Sequence, residues 1–216
     1  VAKLQVTPPK IPPRSGLEPA DIRFLKTDTS LEQVNITGDA SGITAKNLRL
    51  DEVLLERVNI MEAKLEKLGL SDVIMKGCDL SAARAPESSL IRTHVWGGRA
   101  SAVDLSRSTL KDVTFEDCKM DMANFRFGLL ARVRFVGCTL TDADFQGAEL
   151  HDVTFEDCHL ERVEFSAVRA RNLNMPGSKL IDLRGWRSLK GLTLDSAQLM
   201  AVAPQLALAL GLKLKD

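Results

Sequence analysis

Uncharged residues return in pairs, one residue apart, at every fifth position of this chain. From residue 48 they run Leu48/Leu50, Val53/Leu55, Val58/Ile60, Ala63/Leu65, Leu68/Leu70, Val73/Met75 and Cys78/Leu80. The register holds through Val113/Phe115, Cys118/Met120 and Ala123/Phe125 and on to Leu183/Gly185, and every charged residue between 48 and 187 falls on the other three positions. Two positions in five therefore face an interior and three face water. A regular helix would turn such pairs by about 140° at each step of five and smear them around its cylinder, whereas a straight strand would flip them to the opposite face. The chain must turn at every pentad.

A second period of 20 lies over the first. VTFEDC at 113–118 recurs at 153–158, with VRFVGC between them at 133–138, so that the same Val, Phe and Cys positions return after four pentads. Four turns close one circuit, which predicts a four-sided solenoid whose units stack because none can bury its apolar side alone. The pairs weaken to Ala83/Ala85, Ser88/Leu90, Thr93/Val95 and Gly98/Ala100 within 84–105, which predicts a narrower or distorted coil there. After Gly185 the register resumes one residue short, at Leu192/Leu194, and the solenoid is expected to end.

The flanks follow other rules. Most of the prolines fall in VTPPKIPPRSGLEP, where they remove backbone donors and deny helical geometry, so residues 1–33 read as an extended proline-rich arm and a transition. Residues 34–194 read as the solenoid and 195–216 as a C-terminal helical cap. In that cap Asp195 or Ser196 would start a short helix, Pro204 would break it and Gly211 would stop it. Its apolar residues Leu199, Val202, Leu206 and Leu210 would cover the open end of the solenoid, with its unpaired backbone, or meet a second copy of the chain.

Composition changes this picture little. The chain has 216 residues, 44% of them hydrophobic and 27% charged, which suits one soluble domain with a substantial interior. Its 29 Lys and Arg balance its 29 Asp and Glu, so net charge points to neither a nucleic acid nor an anionic membrane as partner. No apolar run approaches the roughly 20 residues of a membrane helix, and VAKLQVTPPK lacks the apolar core of a signal peptide. A cytoplasmic location is expected.

With TDADFQGAEL and CDLSAARA the sequence resembles the pentapeptide-repeat family, whose units centre on a Leu or Phe with Ala, Cys, Ser, Thr or Val two residues earlier. The resemblance extends over about residues 34 to 194. It implies an all-β fold, a right-handed quadrilateral β-helix, common in bacteria and often dimeric through a C-terminal element. It also implies a distant relation to the quinolone-resistance members, which imitate double-stranded DNA and bind type II topoisomerases such as DNA gyrase.

Cys78, Cys118, Cys138 and Cys158 share one inward column of the circuit, with Gly98 at the missing level, and read as buried structural thiols rather than a metal or redox site. His94, His151 and His159 fall on three different sides, and no glycine-rich phosphate loop or metal-spaced cluster is present, so neither catalysis nor a cofactor is expected. The surfaces left are candidates for a protein partner. Glu116, Asp117, Asp121, Asp142, Glu156, Asp157 and Glu161 should gather around one edge, interrupted by Lys119, Arg134 and Arg162. Trp96, expected to lie outward against the Lys76 stem, and Phe127, at a corner with Leu129, are the exposed apolar candidates. A non-enzymatic solenoid that binds a protein through its flat faces is the leading expectation. A gyrase-directed DNA mimic is the alternative, weakened because a duplex presents one negative charge per ~1.7 Å, and a structural spacer is a third.

Overall fold

Each pentad turns through one residue held in the left-handed conformation. In the computed structural model, which describes residues 4–212, every fifth residue from Gly42 to Asp182 has a positive φ. Most of these corners are not glycine: Arg57, Glu62, Lys67, Met122 and Phe127 all lie between 51° and 59°. A side chain in that region costs about 1–2 kcal/mol, a cost met at corner after corner by backbone hydrogen bonds between coils and by burial of the paired positions.

The strands are β1 (Glu18–Asp21), β2 (Ser30–Glu32), β3 (Val34–Thr37), β4 (Thr44–Lys46), β5 (Arg49–Glu56), β6 (Lys64–Glu66) and β7 (Gly69–Lys76). They continue as β8 (Ser89–Trp96), β9 (Thr109–Glu116), β10 (Leu129–Val136), β11 (Glu149–Glu156), β12 (His159–Glu161), β13 (Arg169–Asn174) and β14 (Lys179–Ile181), followed by the helix α1 (Ser196–Ala209). One ten-stranded parallel sheet runs in the order β1-β3-β5-β7-β8-β9-β10-β11-β13, with β2 beside β5. The pairs β4·β6 and β12·β14, with isolated parallel bridges such as Asp104↔Asn124 and Asn124↔Asp144, complete the other sides. The result is a right-handed solenoid of about 8 turns. Val133 faces Val113 on one side and Val153 on the other, and Phe135 faces Phe115 and Phe155, as the period of 20 requires.

The interior is the set of paired positions. Phe115, Phe135 and Phe155 stack with ring centroids 5.1 and 4.7 Å apart, and a second stack of Phe125, Phe145 and Phe165 has spacings of 4.8 and 5.4 Å. The two stacks meet edge to face, Phe145 to Phe155 at 5.5 Å, a favoured arrangement for aromatic pairs. Toward the N-terminus Leu and Ala replace these rings. The weak pairs at 84–105 produce no distorted coil there: β8 keeps full register with β7 and β9, and Thr93 is buried between Val73 and Val113. The backbone ladder holds the coil's width, and the small side chains instead leave an apolar void of about 50 Å³ beside Leu65, Ala83, Ala85, Ala100 and Val103.

Beyond Arg184, which still bridges Glu164, the next bridge joins Asn174 to Thr193, one residue short of a full circuit. Helix α1 then crosses the open end. Asp195 is its N-cap, accepting from Gln198 N at 2.8 Å in a reciprocal capping box. The helix is continuous through Pro204 rather than broken. The carbonyl that Pro204 leaves without a donor belongs to Met200, on the exposed side where water can reach it. Val202 is buried and Leu206 packs on the core, whereas Leu199 and Leu210 point outward with Met200 and Leu208. The first residues of the predicted arm, 1–3, and the end of the predicted cap, 213–216, lie outside the described residues.

Candidate interaction surfaces

The corners of successive coils form columns, and three arginine–aspartate pairs join corners of adjacent coils. Arg92 grips Asp72 through Nε at 2.7 Å and through Nη2, and Arg132 grips Asp112 with bonds of 2.7 and 2.6 Å. The two carboxylates are 6% and 5% exposed. Hydrogen bonding to its arginine holds each carboxyl below the usual carboxylate range, against the opposing effect of burial. On the opposite corner Arg162 forks onto Asp142 at 2.8 Å and also reaches Glu161.

The acidic residues singled out from the sequence are therefore set among cations. Glu116 meets His94 Nε2 at 3.0 Å, Asp121 meets Lys119 at 3.5 Å, Glu156 pairs with Arg134, and Glu161 meets His159 at 3.1 Å. Asp117 and Asp157 have no ion-pair partner among the described residues; each leans over the glycine one coil on, Gly137 and Gly177. Register stacks Lys76, Trp96, Glu116, Val136 and Glu156 in one column. The Lys76 ammonium lies 4.9 Å from the Trp96 ring centroid, a cation–π contact, and leaves the ring 40% exposed. Trp96, Glu116, Asp117, Glu156 and Asp157 thus share an edge, with Asp121, Asp142 and Glu161 around the next side. Phe127 is not with them. It occupies the corner diagonally opposite Asp117, 55% exposed, with its ring over Gly147.

The inward cysteines are free and buried. Each thiol donates to a carbonyl of the coil below, Cys118 Sγ to Val95 O at 3.5 Å and Cys138 Sγ to Phe115 O at 3.4 Å. Burial pushes the Cys78 thiol up, and a hydrogen bond with Cys138 together with burial pushes Cys118 up further, so both stay protonated. Gly98 interrupts the column because a Cβ there would stand 2.8 Å from the carbonyl oxygen of Cys78. The three histidines sit in separate columns, each beside a glutamate. Among the described residues no three His, Cys, Asp or Glu side chains converge on a point that could hold a metal ion.

One feature escaped the sequence reading. The arm lies along the solenoid: Thr7 N donates to Asp112 at 3.2 Å, Lys10 N to Asp72 at 2.8 Å, and Arg14 pairs with Glu56 at 2.8 Å. The alternation Asp72, Arg92, Asp112, Arg132, Asp152 down one column was the available signal.

A family model for the pentapeptide repeat region matches residues 68–145 and 108–184, together more than half of the chain. The chain belongs to the pentapeptide-repeat family. No curated protein matches it at a significant level. Among solved structures, a pentapeptide-repeat resemblance extends to QnrB1, described as a plasmid-mediated fluoroquinolone resistance protein, at 24% identity and a TM-score of 0.47, covering 90% of this chain and 95% of that one. HetL, a pentapeptide repeat protein involved in heterocyst differentiation regulation from the cyanobacterium Nostoc, is 17% identical with a TM-score of 0.37, over 77% of this chain and 90% of HetL. A pentapeptide repeat protein of the Arabidopsis thaliana thylakoid lumen is 20% identical with a TM-score of 0.25, over 50% and 76%. Among the described residues of this family member no helix is long and apolar enough to cross a membrane.

Proposed function

We propose that this pentapeptide-repeat solenoid is a non-catalytic binding module that meets a protein partner across its flat sides, with the Trp96 edge as the contact. One observation carries the reading: a half-exposed Trp96 in register with Glu116 and Glu156, flanked by Asp117 and Asp157. Tryptophan is enriched among residues that dominate binding energy, and carboxylates beside it complement a basic protein surface. Imitation of a duplex for a topoisomerase such as DNA gyrase asks for one uncompensated charge per ~1.7 Å. Here Arg134, Lys119, His94 and His159 interleave with the acids, so an ordinary protein surface is the better complement, with neither nucleic acid nor membrane as partner.

The test is capture from the host's lysate by the wild-type chain and by a variant with Glu116, Asp117, Glu156 and Asp157 all changed to Lys and Trp96→Ala. The expected result is a protein retained by the first and lost by the second; equal retention overturns the assignment of the edge. Supercoiling by the host's gyrase, titrated with the chain, should be unaffected, and inhibition or quinolone protection would restore the duplex-mimic reading. The outward Leu199, Met200 and Leu208 of α1, with Leu210 at its C-cap, fit a homodimer joined at the C-terminal ends. A sedimentation mass of one chain would remove that dimer.

A further inference from the structure

The arm is seated on the solenoid by a match of two periods. Asp72 and Asp112 lie two coils apart on one column, about 9.6 Å at the ~4.8 Å spacing of stacked strands. Their donors, Lys10 and Thr7, are three residues apart, which spans about 9.3 Å in a polyproline II helix of ~3.1 Å per residue. Such a helix has three residues per turn, so every third N–H faces the same side. Pro8 and Pro9 lie between the two donors, where none is wanted, and Pro13, next on the three-residue register, ends the run of donors after Lys10. Pro13, at φ −52° and ψ 149°, has the polyproline conformation. Leu4, Val6, Pro9, Ile11 and Pro12 are each half-buried, and Leu54, in an outward position of its pentad, is buried.

The acceptors do not depend on the arm. Arg92 and Arg132 fork onto Asp72 and Asp112 and fix their orientation, and the arm residues 4–13 contribute nothing to the buried core. None of residues 4–13 is in a strand. The column also continues past the arm's last bond. Asp152, two coils beyond Asp112, is oriented by Asn172 Nδ2 at 2.7 Å and accepts no arm N–H among the described residues. The receptor surface is thus longer than the contacts its present occupant makes.

We propose that the Asp72–Asp112–Asp152 column is a docking groove for an extended proline-rich segment of a partner protein, and that residues 4–13 occupy it in cis until displaced. The partner's segment is in polyproline II form, carries N–H groups at every third position, and outcompetes the arm by engaging Asp152 as well. This deepens the reading of the chain as a protein-binding solenoid, but it uses none of the four carboxylates reversed in the test of the Trp96 edge. Either result can therefore fail alone.

The probe is a fluorescent synthetic peptide with the sequence of residues 4–13, titrated into the full chain and into a full-chain variant carrying Thr7→Pro and Lys10→Pro. Those substitutions keep the polyproline form and remove both backbone donors from the resident arm, together with the Thr7 hydroxyl and the Lys10 ammonium. The peptide is expected to bind the variant saturably, at least ten-fold more tightly than the wild type, whose own arm competes at high effective concentration. The same peptide carrying both prolines should not bind. Absence of saturable binding to the variant up to millimolar peptide, or equal binding of the two peptides, overturns the proposal. Should the variant fail to fold, hydrogen exchange on the wild-type chain decides: Thr7 and Lys10 amides exchanging far faster than the amides of β9 and β10 support a displaceable arm, and equal protection refutes it.

Discussion

Gln198 Nε2 donates to the carbonyl oxygen of Met175 at 2.7 Å, and also to that of Ser178 at 2.9 Å. These are carbonyls of the last full coil, which no further coil can satisfy. Gln205 Oε1 performs the reverse service, accepting from Leu183 N at 3.1 Å and Trp186 Nε1 at 3.3 Å. Helix α1 therefore closes the ladder chemically as well as covering it, with Val202 as the apolar plug between the two amides.

Gln198→Leu keeps the size of this side chain and removes its donor. Two buried carbonyls lose their partner, and the expected cost is about 1–3 kcal/mol, read as a lower urea midpoint with an unchanged slope. A variant as stable as the wild type would mean that α1 acts through apolar cover alone.

Two glycines with the same backbone hand should respond differently to alanine. Gly97 has φ 61° and open space around a notional Cβ, while Gly185 has φ 78° with Ser166 N 2.3 Å from that position. Gly97→Ala is expected to cost only the left-handed penalty, about 1–2 kcal/mol, as the many non-glycine corners already do. Gly185→Ala must push backbone against backbone and should cost clearly more, with loss of the final turn. Thermal denaturation of the two variants compares them directly, and equal losses would contradict the steric argument.

The interior predicts a gradient along the rod. Phe135 lies between Phe115 and Phe155 and edge-on to Phe125 and Phe145. Phe135→Ala should cost about 3–5 kcal/mol. Ala100→Val, which adds methyl groups beside the existing void, should be neutral or stabilising by up to about 1 kcal/mol, and a large loss there would show the void to be closed in solution.

Much of this architecture was legible because the interior enforces it: a Leu, Phe or Cys that returns every 20 residues must return to one column, so Val113, Phe115 and Cys118 announce the coil. The corners were less legible, since Arg57, Lys67 and Phe127 carry no local preference for a left-handed backbone and adopt it because the coils on either side do. The solidity of the weak coil at Thr93 was hidden for the same reason, the ladder being made by backbone atoms that sequence does not vary. The acidic edge could be placed, but the pairing of Glu156 with Arg134 and of Glu116 with His94 depends on side-chain reach between coils. Gln198 was invisible, and the seat of the arm was marked only by the alternation of Asp and Arg from Asp72 to Asp152, because each joins segments far apart in sequence through one side-chain amide or a pair of carboxylates.

The seat of the arm should also give the chain a specific acid response. Asp72 and Asp112 have folded pKa values below those of free carboxyls, chiefly through Arg92 and Arg132, with Lys10 N and Thr7 N adding to the effect. A depressed carboxyl contributes stability that is fully present above its unfolded pKa, about 3.9 for Asp, and is lost as pH falls from there through the folded value. The melting temperature should therefore show no dependence on these groups between about pH 5 and 8 and should fall below about pH 4. Asp112→Asn tolerates the left-handed backbone and does not titrate, so it should be less stable than the wild type at pH 7 yet lose less on acidification. Exchange of the Thr7 amide should quicken over the same acid range, after correction for intrinsic rates, while amides inside β10 stay protected. Parallel acid profiles for wild type and Asp112→Asn would show that the arginine fork, and with it the anchor of the arm, contributes nothing to the folded state in solution.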